Sequence, residues 1–319
     1  MTSRPQLAEV ARRAGVSVAT ASRVLSGRGP ASAASRDAVR GAATELGYVP
    51  HPVARRLARG AGTRVLFAVR DRRADILRDP FVTRAATAMA AAADADGLGV
   101  TVRHLPLDAS AELDRIAADR SIAAVVLAGH DRALLDALPA ALPGRFGVIG
   151  AGGPDVDSAA GVSALLRHLH LTGRRRIALI GGPPWLAASR PPMDAYTGLM
   201  HEAGLPVRVM TGDFTAARGR AAAQTVLRRW PGTDAIATVS DATALGVLQA
   251  LATAGIRVPD DIAVTGFDDV PFAASAYPAL TTATHPVEEI AAAAVRAAVG
   301  GTPAAAQLFP SHPVLRATA

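Results

Sequence analysis

Six residues within the seven positions from 17 to 23 carry groups that suit a single chemistry: Ser17, Val18, Ala19, Thr20, Ser22 and Arg23. A guanidinium offers two parallel N–H donors that match O6 and N7 of guanine, and small apolar side chains meet the methyl of thymine. Hydroxyls donate to phosphate oxygens, which fix position without reading sequence. On a helix Ala19 and Arg23 are i and i+4, so an apolar contact and a guanidinium lie side by side on one face. The chemistry these types imply is contact with the major groove of a duplex.

Elements to hold that face are written on either side of it. Leu7, Val10, Ala11 and Ala14 recur at the spacing of one helical face, and Gly15 supplies the left-handed residue that ends a helix and turns the chain. Ser17 follows as an N-cap. A second helix is predicted from Val18 to Leu25, with Ala21, Val24 and Leu25 turned inward and Val18, Ala19, Ser22 and Arg23 outward. After the loop from Arg28, Ser32 caps a third helix whose Ala38, Val39, Ala42, Ala43 and Leu46 complete a small core before Gly47 stops it.

The competing reading is a plain helical hairpin with a solvated arginine. Charge decides against it. Residues 1–60 hold ten arginines against Glu9, Asp37 and Glu45, a formal +7, whereas the remainder balances 24 arginines with 24 acids. The whole net charge of +7 therefore sits on the helix-turn-helix, the footprint of a phosphate-binding module attached to a neutral body.

The run from Val10 to Gly27, Val-Ala-Arg-Arg-Ala-Gly-Val-Ser-Val-Ala-Thr-Ala-Ser-Arg-Val-Leu-Ser-Gly, closely resembles the DNA-reading motif of the lactose-repressor (LacI/GalR) family. Only Ala21 departs, where Val is more usual. The resemblance continues through Leu46-Gly-Tyr-Val-Pro50 and Val53-Ala-Arg-Arg-Leu57 and, more dilute, over nearly the whole chain. It implies that Val18, Ala19 and Arg23 read the major groove and that Leu7, Ser17, Thr20, Ser22, Ser26, Ser32 and Ser35 contact phosphate. It also implies a hinge helix at about 52–59 that orders on DNA, with Ala54 and Leu57 in the minor groove and Leu57 as a wedge between base steps. His51 stands where the family usually has Asn, which weakens the cap of that helix.

Beyond Gly60-Ala-Gly-Thr63, apolar runs alternate with alanine-rich helical segments. Strands are expected at 65–69, 100–104, 123–128, 147–150, 177–180, 206–210, 235–239 and 263–267. Helices are expected around 82–95, 159–171, 193–203, 216–230, 242–254 and 287–299. Such alternation argues for parallel sheets covered on both faces, hence an α/β core of two doubly wound lobes with ligands at the carboxyl ends of the strands. Asp79-Pro-Phe81, Gly173-Arg-Arg-Arg-Ile-Ala178, Val258-Pro-Asp-Asp-Ile262, Gly266-Phe-Asp-Asp269 and Leu280-Thr-Thr282 resemble landmarks of the family's periplasmic-binding-protein-like domain. The expected division is a small all-α helix-turn-helix domain at 1–60 and an effector-binding and dimerisation core at 61–319. Lobe one covers about 63–155 and 284–307, lobe two about 156–283 and 308–319.

In sugar-binding members of the family, the effector is held by an Asp early in the second lobe, an Arg before a Gly-aromatic pair, an Asn-Asp pair and the Asp of Gly-Phe-Asp-Asp. By resemblance, Asp241 and Asp268 match. Ala160, Pro192 and Ser240 stand where Asp, Arg and Asn are expected, with Arg190 two residues away as a substitute. Phe81, Trp185 and Phe272 would supply apolar or stacking walls. The expected effector set is therefore Phe81, Arg190, Ser240, Asp241 and Asp268, and the expected effector is less hydroxylated than a free sugar, or there is none.

Composition narrows the alternatives. The chain has no Cys, and all 34 of its Lys+Arg count are arginines. Thiol nucleophiles, disulfides, Cys-ligated zinc, Walker lysines and Schiff-base lysines are excluded. Gly181-Gly182 after a strand is the one hint of a phosphate loop, and His168 and His170 are two apart, which on a helix puts them on different faces rather than on a metal. An enzyme is not expected, nor a cofactor or metal. The amino terminus lacks an apolar signal region and the alanine-rich stretches fall short of the ~20 apolar residues of a membrane span. The expectation is a cytoplasmic homodimer on inverted-repeat operator DNA, with a small-molecule effector as its other partner and no membrane contact.

Overall fold

The computed structural model of the chain describes residues 5–27, 30–49, 61–301 and 306–319. The amino-terminal unit is three helices, α1 (Leu7–Arg13), α2 (Val18–Ser26) and α3 (Ala33–Glu45). Their inward faces meet in one small cluster: Val10, Ala11, Ala21, Val24, Val39, Ala42 and Ala43, with Leu7, Ala14, Leu25 and Leu46 packed against it. Gly15 takes a left-handed φ of 65°, which only glycine adopts without strain, and so turns α1 into α2. The expected hinge at about 52–59, with Ala54 and Leu57, lies outside the described residues, as does Arg28.

The core follows as β1 (Arg64–Arg70), α4 (Pro80–Asp94), β2 (Gly99–Leu105), α5 (Ser110–Ala118), β3 (Ile122–Ala128), α6 (Arg132–Asp136), β4 (Phe146–Ile149) and β5 (Pro154–Val156). Next come α7 (Ser158–Leu171), β6 (Ile177–Gly181), α8 (Arg190–Glu202), β7 (Val209–Thr211), α9 (Ala216–Arg229), β8 (Ala235–Thr238), α10 (Asp241–Thr253), β9 (Ala263–Thr265) and α11 (Pro271–Ser275). The chain ends with β10 (Thr282–Ala283), α12 (Val287–Gly300), β11 (Gln307–Phe309) and β12 (Pro313–Val314).

Two four-stranded sheets result, ordered β2-β1-β3-β4 and β7-β6-β8-β9, with every pairing parallel. The central strand β1 reads Arg-Val-Leu-Phe-Ala-Val-Arg and is buried from Val65 onward, the unbroken apolar run of a strand covered on both faces. Short pairings tie the far end of the chain back to the middle: β11 runs parallel to β5, and β10 antiparallel to β12. Helix α12 returns to the first sheet and packs on α4, β3, β4 and β5.

Two element boundaries depart from the sequence expectation where proline acts. The strand expected at 206–210 is Val209–Thr211, because Pro206 has no N–H to give a ladder and the Arg208 N–H is taken by the Tyr196 hydroxyl at 2.8 Å. Helix α8 begins at Arg190 rather than 193, since Pro191 and Pro192 occupy its first turn, where the missing N–H costs nothing. Helices α5, α6 and α11 and the crossing strands β5, β10, β11 and β12 lie outside the expected set; the strands are two or three residues long, too short for a period to register. Among the described residues no helix is long and apolar enough to cross a membrane.

Candidate functional site

The helical head presents the face that its sequence implies. Ala21 and Val24 of α2 are buried, while Val18 is 48% exposed and Ala19 and Arg23 are also exposed. The Arg23 side chain lies along its own helix, its Nε donating to the Ala19 carbonyl at 3.3 Å and its Nη2 to Thr20 Oγ1 at 3.3 Å. Both are long for hydrogen bonds, so the guanidinium is held loosely. Ser17 Oγ accepts from the Thr20 N–H at 3.1 Å and meets Thr20 Oγ1 at 2.9 Å; Ser32 Oγ accepts from the Ser35 N–H at 3.1 Å and donates to Ser35 Oγ at 2.9 Å. These serines are N-caps, so they sit where helix amides and dipole favour an anionic oxygen. Ser26 Oγ donates to the Arg23 carbonyl at 3.1 Å, and Ser22 is half-buried on α2. Leu7 packs its side chain into the head's core, which leaves only its main-chain amide for a phosphate.

The second site is a cleft at the carboxyl ends of both sheets, with a cavity of ≈190 Å³. A water occupies ~30 Å³ of liquid, so the space is that of a small molecule rather than an ordered solvent site. Its polar groups come from the turns that leave the strands. Asp79 caps α4, its Oδ1 accepting from the Phe81 N–H at 3.0 Å, and Ser240 caps α10, its Oγ accepting from the Thr243 N–H at 3.2 Å. At the end of β3 only glycine fits position 129, because φ is 82° and a Cβ there would collide with the Arg70 carbonyl.

The two walls differ. The first sheet's side brings Arg70, Asp71, Arg73, Asp79, His130 and Asp155. Arg70 is spent on Asp131 at 2.9 Å and on the Leu107 carbonyl at 2.9 Å, and its guanidinium lies 5.8 Å from the ring centre of Trp185 on the opposite side. Arg73 is spent on Asp71 at 3.2 Å and Asp79 at 3.5 Å. Burial pushes the Asp79 carboxyl up, against the pull of the Phe81 N–H and Arg73. Burial likewise pushes Asp155 up; its Oδ1 accepts only from the Val156 N–H at 2.9 Å, and His285 and His130 draw it back down. The facing wall is Trp185, Leu186, Pro192, Phe214, Val270 and Phe272, with hydroxyls at Ser189 and Ser240.

Asp268 and His285 stand where the chain crosses between the sheets, His285 Nδ1 at 2.8 Å from Asp268 Oδ1. Phe81 stacks on the His285 ring at 5.5 Å, and Phe267 meets it edge-on at 6.0 Å. A carboxylate accepts, so Nδ1 carries a proton and donates, while Nε2 is buried without a hydrogen-bond partner. His130 repeats the arrangement: Nε2 donates to the Ala151 carbonyl at 2.8 Å and Nδ1 is buried and unpartnered.

Of the expected effector residues, Phe81, Ser240 and Asp268 line the cleft. Arg190 does not; it is exposed at the start of α8, and Pro192 fills the position nearest the cavity. Asp241 does not either. It is fully buried beneath the wall, Oδ1 accepting from Thr282 Oγ1 at 2.6 Å and Oδ2 from the Val270 N–H at 2.9 Å, so both its oxygens are engaged by the protein. Sequence reasoning missed Asp155, His130, His285, Arg70 and Arg73. Asp79 was within reach, since Asp-Pro before an apolar helix is a capping signal; the histidines carry no local signal at all. The Gly181-Gly182 pair is a packed turn, where a Cβ on Gly182 would collide with Ser189 Oγ and press on the Phe214 ring.

A helix-turn-helix head with an exposed arginine face, joined to a two-sheet core with a cleft at the strand ends, defines a DNA-binding transcription regulator. Residues 6–51 match the family of bacterial regulatory proteins, lacI family, and residues 166–318 match the periplasmic binding protein-like domain. The HTH-type transcriptional regulator CelR of Thermobifida fusca is 33% identical over 308 residues, covering 89% of this chain and 88% of that protein. The HTH-type transcriptional repressor CytR of Escherichia coli (strain K12) is 27% identical over 314 residues, covering 88% and 85%. Among solved structures, a transcriptional regulator CelR-cellobiose complex aligns at TM-score 0.71 and 29% identity over 99% of this chain and 100% of that chain. A lac repressor dimer bound to operator and the anti-inducer ONPF aligns at TM-score 0.79 and 24% identity over 99% of each. The chain belongs to the lacI family of bacterial transcription regulators.

Proposed function

We propose that the protein is a cytoplasmic, homodimeric repressor that reads an inverted-repeat operator and responds to a small molecule in its cleft. Residues 1–60 serve as the reading head, with a hinge at about 52–59, and residues 61–319 as the effector-binding and dimerisation core. The core divides into a lobe of about 63–155 and 284–307 and a lobe of about 156–283 and 308–319. Val18, Ala19 and Arg23 address base edges; the N-capping Ser17 and Ser32, with Thr20, Ser22, Ser26, Ser35 and the Leu7 amide, address phosphate. Ala54 and Leu57 enter the minor groove, where a wedge kinks the duplex most cheaply at a pyrimidine–purine step. The observation that carries this reading is the pairing of an exposed Arg23 face, in a segment holding the full +7 of the chain, with a ligand-sized cavity walled by both sheets.

Coupling needs the effector to bind one arrangement of the lobes better than another, and a ligand touching both walls meets that requirement. The effector is less hydroxylated than a free sugar. Each buried hydroxyl left unpaired costs roughly 1–3 kcal/mol, and the wall of Trp185, Pro192, Phe214 and Phe272 offers few partners. The test is a panel of hexoses, pentoses and sugar phosphates against the protein on an operator obtained by genome-wide mapping. None should raise the melting temperature or release DNA. Micromolar release by a simple hexose or pentose contradicts the effector reading.

A further inference from the structure

The cleft is acidic inside a core whose charges balance as a whole. Asp71, Asp79, Asp155 and Asp268 line it against Arg70 and Arg73, a formal −2. Both arginines are already committed, Arg70 to Asp131 and Arg73 to Asp71 and Asp79, so neither is left for an anionic ligand. Among the described residues Asp155 has no cationic side chain within ion-pair distance, and its one hydrogen bond comes from the neighbouring main-chain N–H. His130 and His285 each donate one ring N–H to the protein and leave their other ring nitrogen buried without a partner. The cavity therefore presents carboxylate acceptors with no free arginine to pair them. Around them stand Phe81, Phe267, Phe214, Trp185 and Phe272, whose ring faces attract positive charge.

We propose that the effector carries a cationic nitrogen, seated at Asp155 near His130 and His285, on an apolar or aromatic body that lies against the Trp185, Pro192, Phe214 and Phe272 wall. This rests on the reading of the cleft as an effector site and specifies its chemical class. A protonated amine supplies the donors that the acid wall lacks and neutralises a buried carboxylate. Anions, sugar phosphates included, meet that carboxylate with no free arginine to offset it. An uncharged polyol leaves one end of its hydroxyls against aromatic carbon.

The test uses the full chain and four probes: 2-phenylethylamine, its neutral isostere 2-phenylethanol, its anionic counterpart phenylacetate, and cellobiose, each titrated by calorimetry at neutral pH. The amine should bind at least tenfold more tightly than the alcohol, phenylacetate should show no binding, and Asp155→Asn should weaken the amine at least tenfold while leaving the alcohol unchanged. Operator release is read in parallel by fluorescence anisotropy. Equal binding of amine and alcohol, tighter binding of cellobiose or phenylacetate, no binding by the amine, or an amine affinity indifferent to Asp155→Asn overturns the cationic class. Amine binding that depends on Asp155 without any change in operator affinity keeps the class and overturns the effector reading instead.

Discussion

The head and the cleft recognise their partners by opposite means. The head is basic and local: its reading face spans seven positions of one helix, and its charge sits within sixty residues. The cleft is acidic and dispersed: Arg70, Asp79, His130, Asp155, Phe214, Asp268 and His285 meet only because two parallel sheets deliver their carboxyl ends to one place. The difference shows what each region can change cheaply. A head residue alters one contact on an exposed helix. Asp79, Arg70 and Phe81 are also a cap, an ion-pair partner and a stacked ring, so replacing one of them disturbs the structure that holds the others.

That contrast is open to direct attack. The largest effect is expected in the head, where Arg23→Ala should cost about 1–3 kcal/mol per half-site, hence roughly 2–6 kcal/mol for a dimer on two half-sites. Thermal stability should hardly change, since the side chain is exposed and its contacts are long. Anisotropy titrations on an operator duplex at fixed salt would measure the loss, and an unchanged affinity would remove Arg23 from the reading face.

A smaller effect is expected below the cleft. Burial, and then the nearby Asp268 charge, push the Asp241 carboxyl up to about 7. A folded-state value above the unfolded one means that the native state keeps a proton the unfolded chain has released. The stabilisation is complete below the unfolded value, falls as pH rises through the window up to about 7, and is flat beyond. One proton taken up gives a slope of at most ~1.4 kcal/mol per pH unit. Asp79 and Asp155 are raised too and add slope of the same sign. Asp241→Asn should therefore reduce the decline of urea-unfolding stability between about pH 4 and 7 without abolishing it, and a slope equal to wild type would contradict the assignment.

The smallest effect returns to the head. Arg13 Nη2 lies 2.6 Å from Glu45 Oε1, but both side chains are more than half exposed, 56% and 54%. Solvent screening limits such pairs to ~0–1 kcal/mol, so Glu45→Gln should shift the stability of the head by no more than that. A loss of several kcal/mol in chemical unfolding would show that the pair holds α1 to α3.

Legibility in the sequence follows the same division. In the head, period, cap and glycine agree: Val10, Ala21 and Val39 are buried, Ser17 and Ser32 cap, and Gly15, Gly27 and Gly47 are left-handed. The alternation of strands and helices in the core is also legible, because each apolar run is long enough to carry a signal. Crossing strands of two or three residues are not. In the cleft, resemblance located Asp268, Ser240 and Phe81 but placed Asp241 and Arg190 on a wall they do not line. Asp241 is drawn under the wall by Thr282 and Val270, partners 41 and 29 residues away, and such a contact leaves no local pattern. His285 pairs with Asp268 across 17 residues for the same reason.

One helix face of the head is expected to determine where this regulator binds. Selection of bound duplexes from a random pool by the full-length protein, in parallel with Arg23→Ala, tests it most directly. The wild type should select an inverted repeat with a fixed guanine in each half-site, and the variant should lose preference at that base alone. A selected sequence without two-fold symmetry, or an identical preference in the variant, would contradict it.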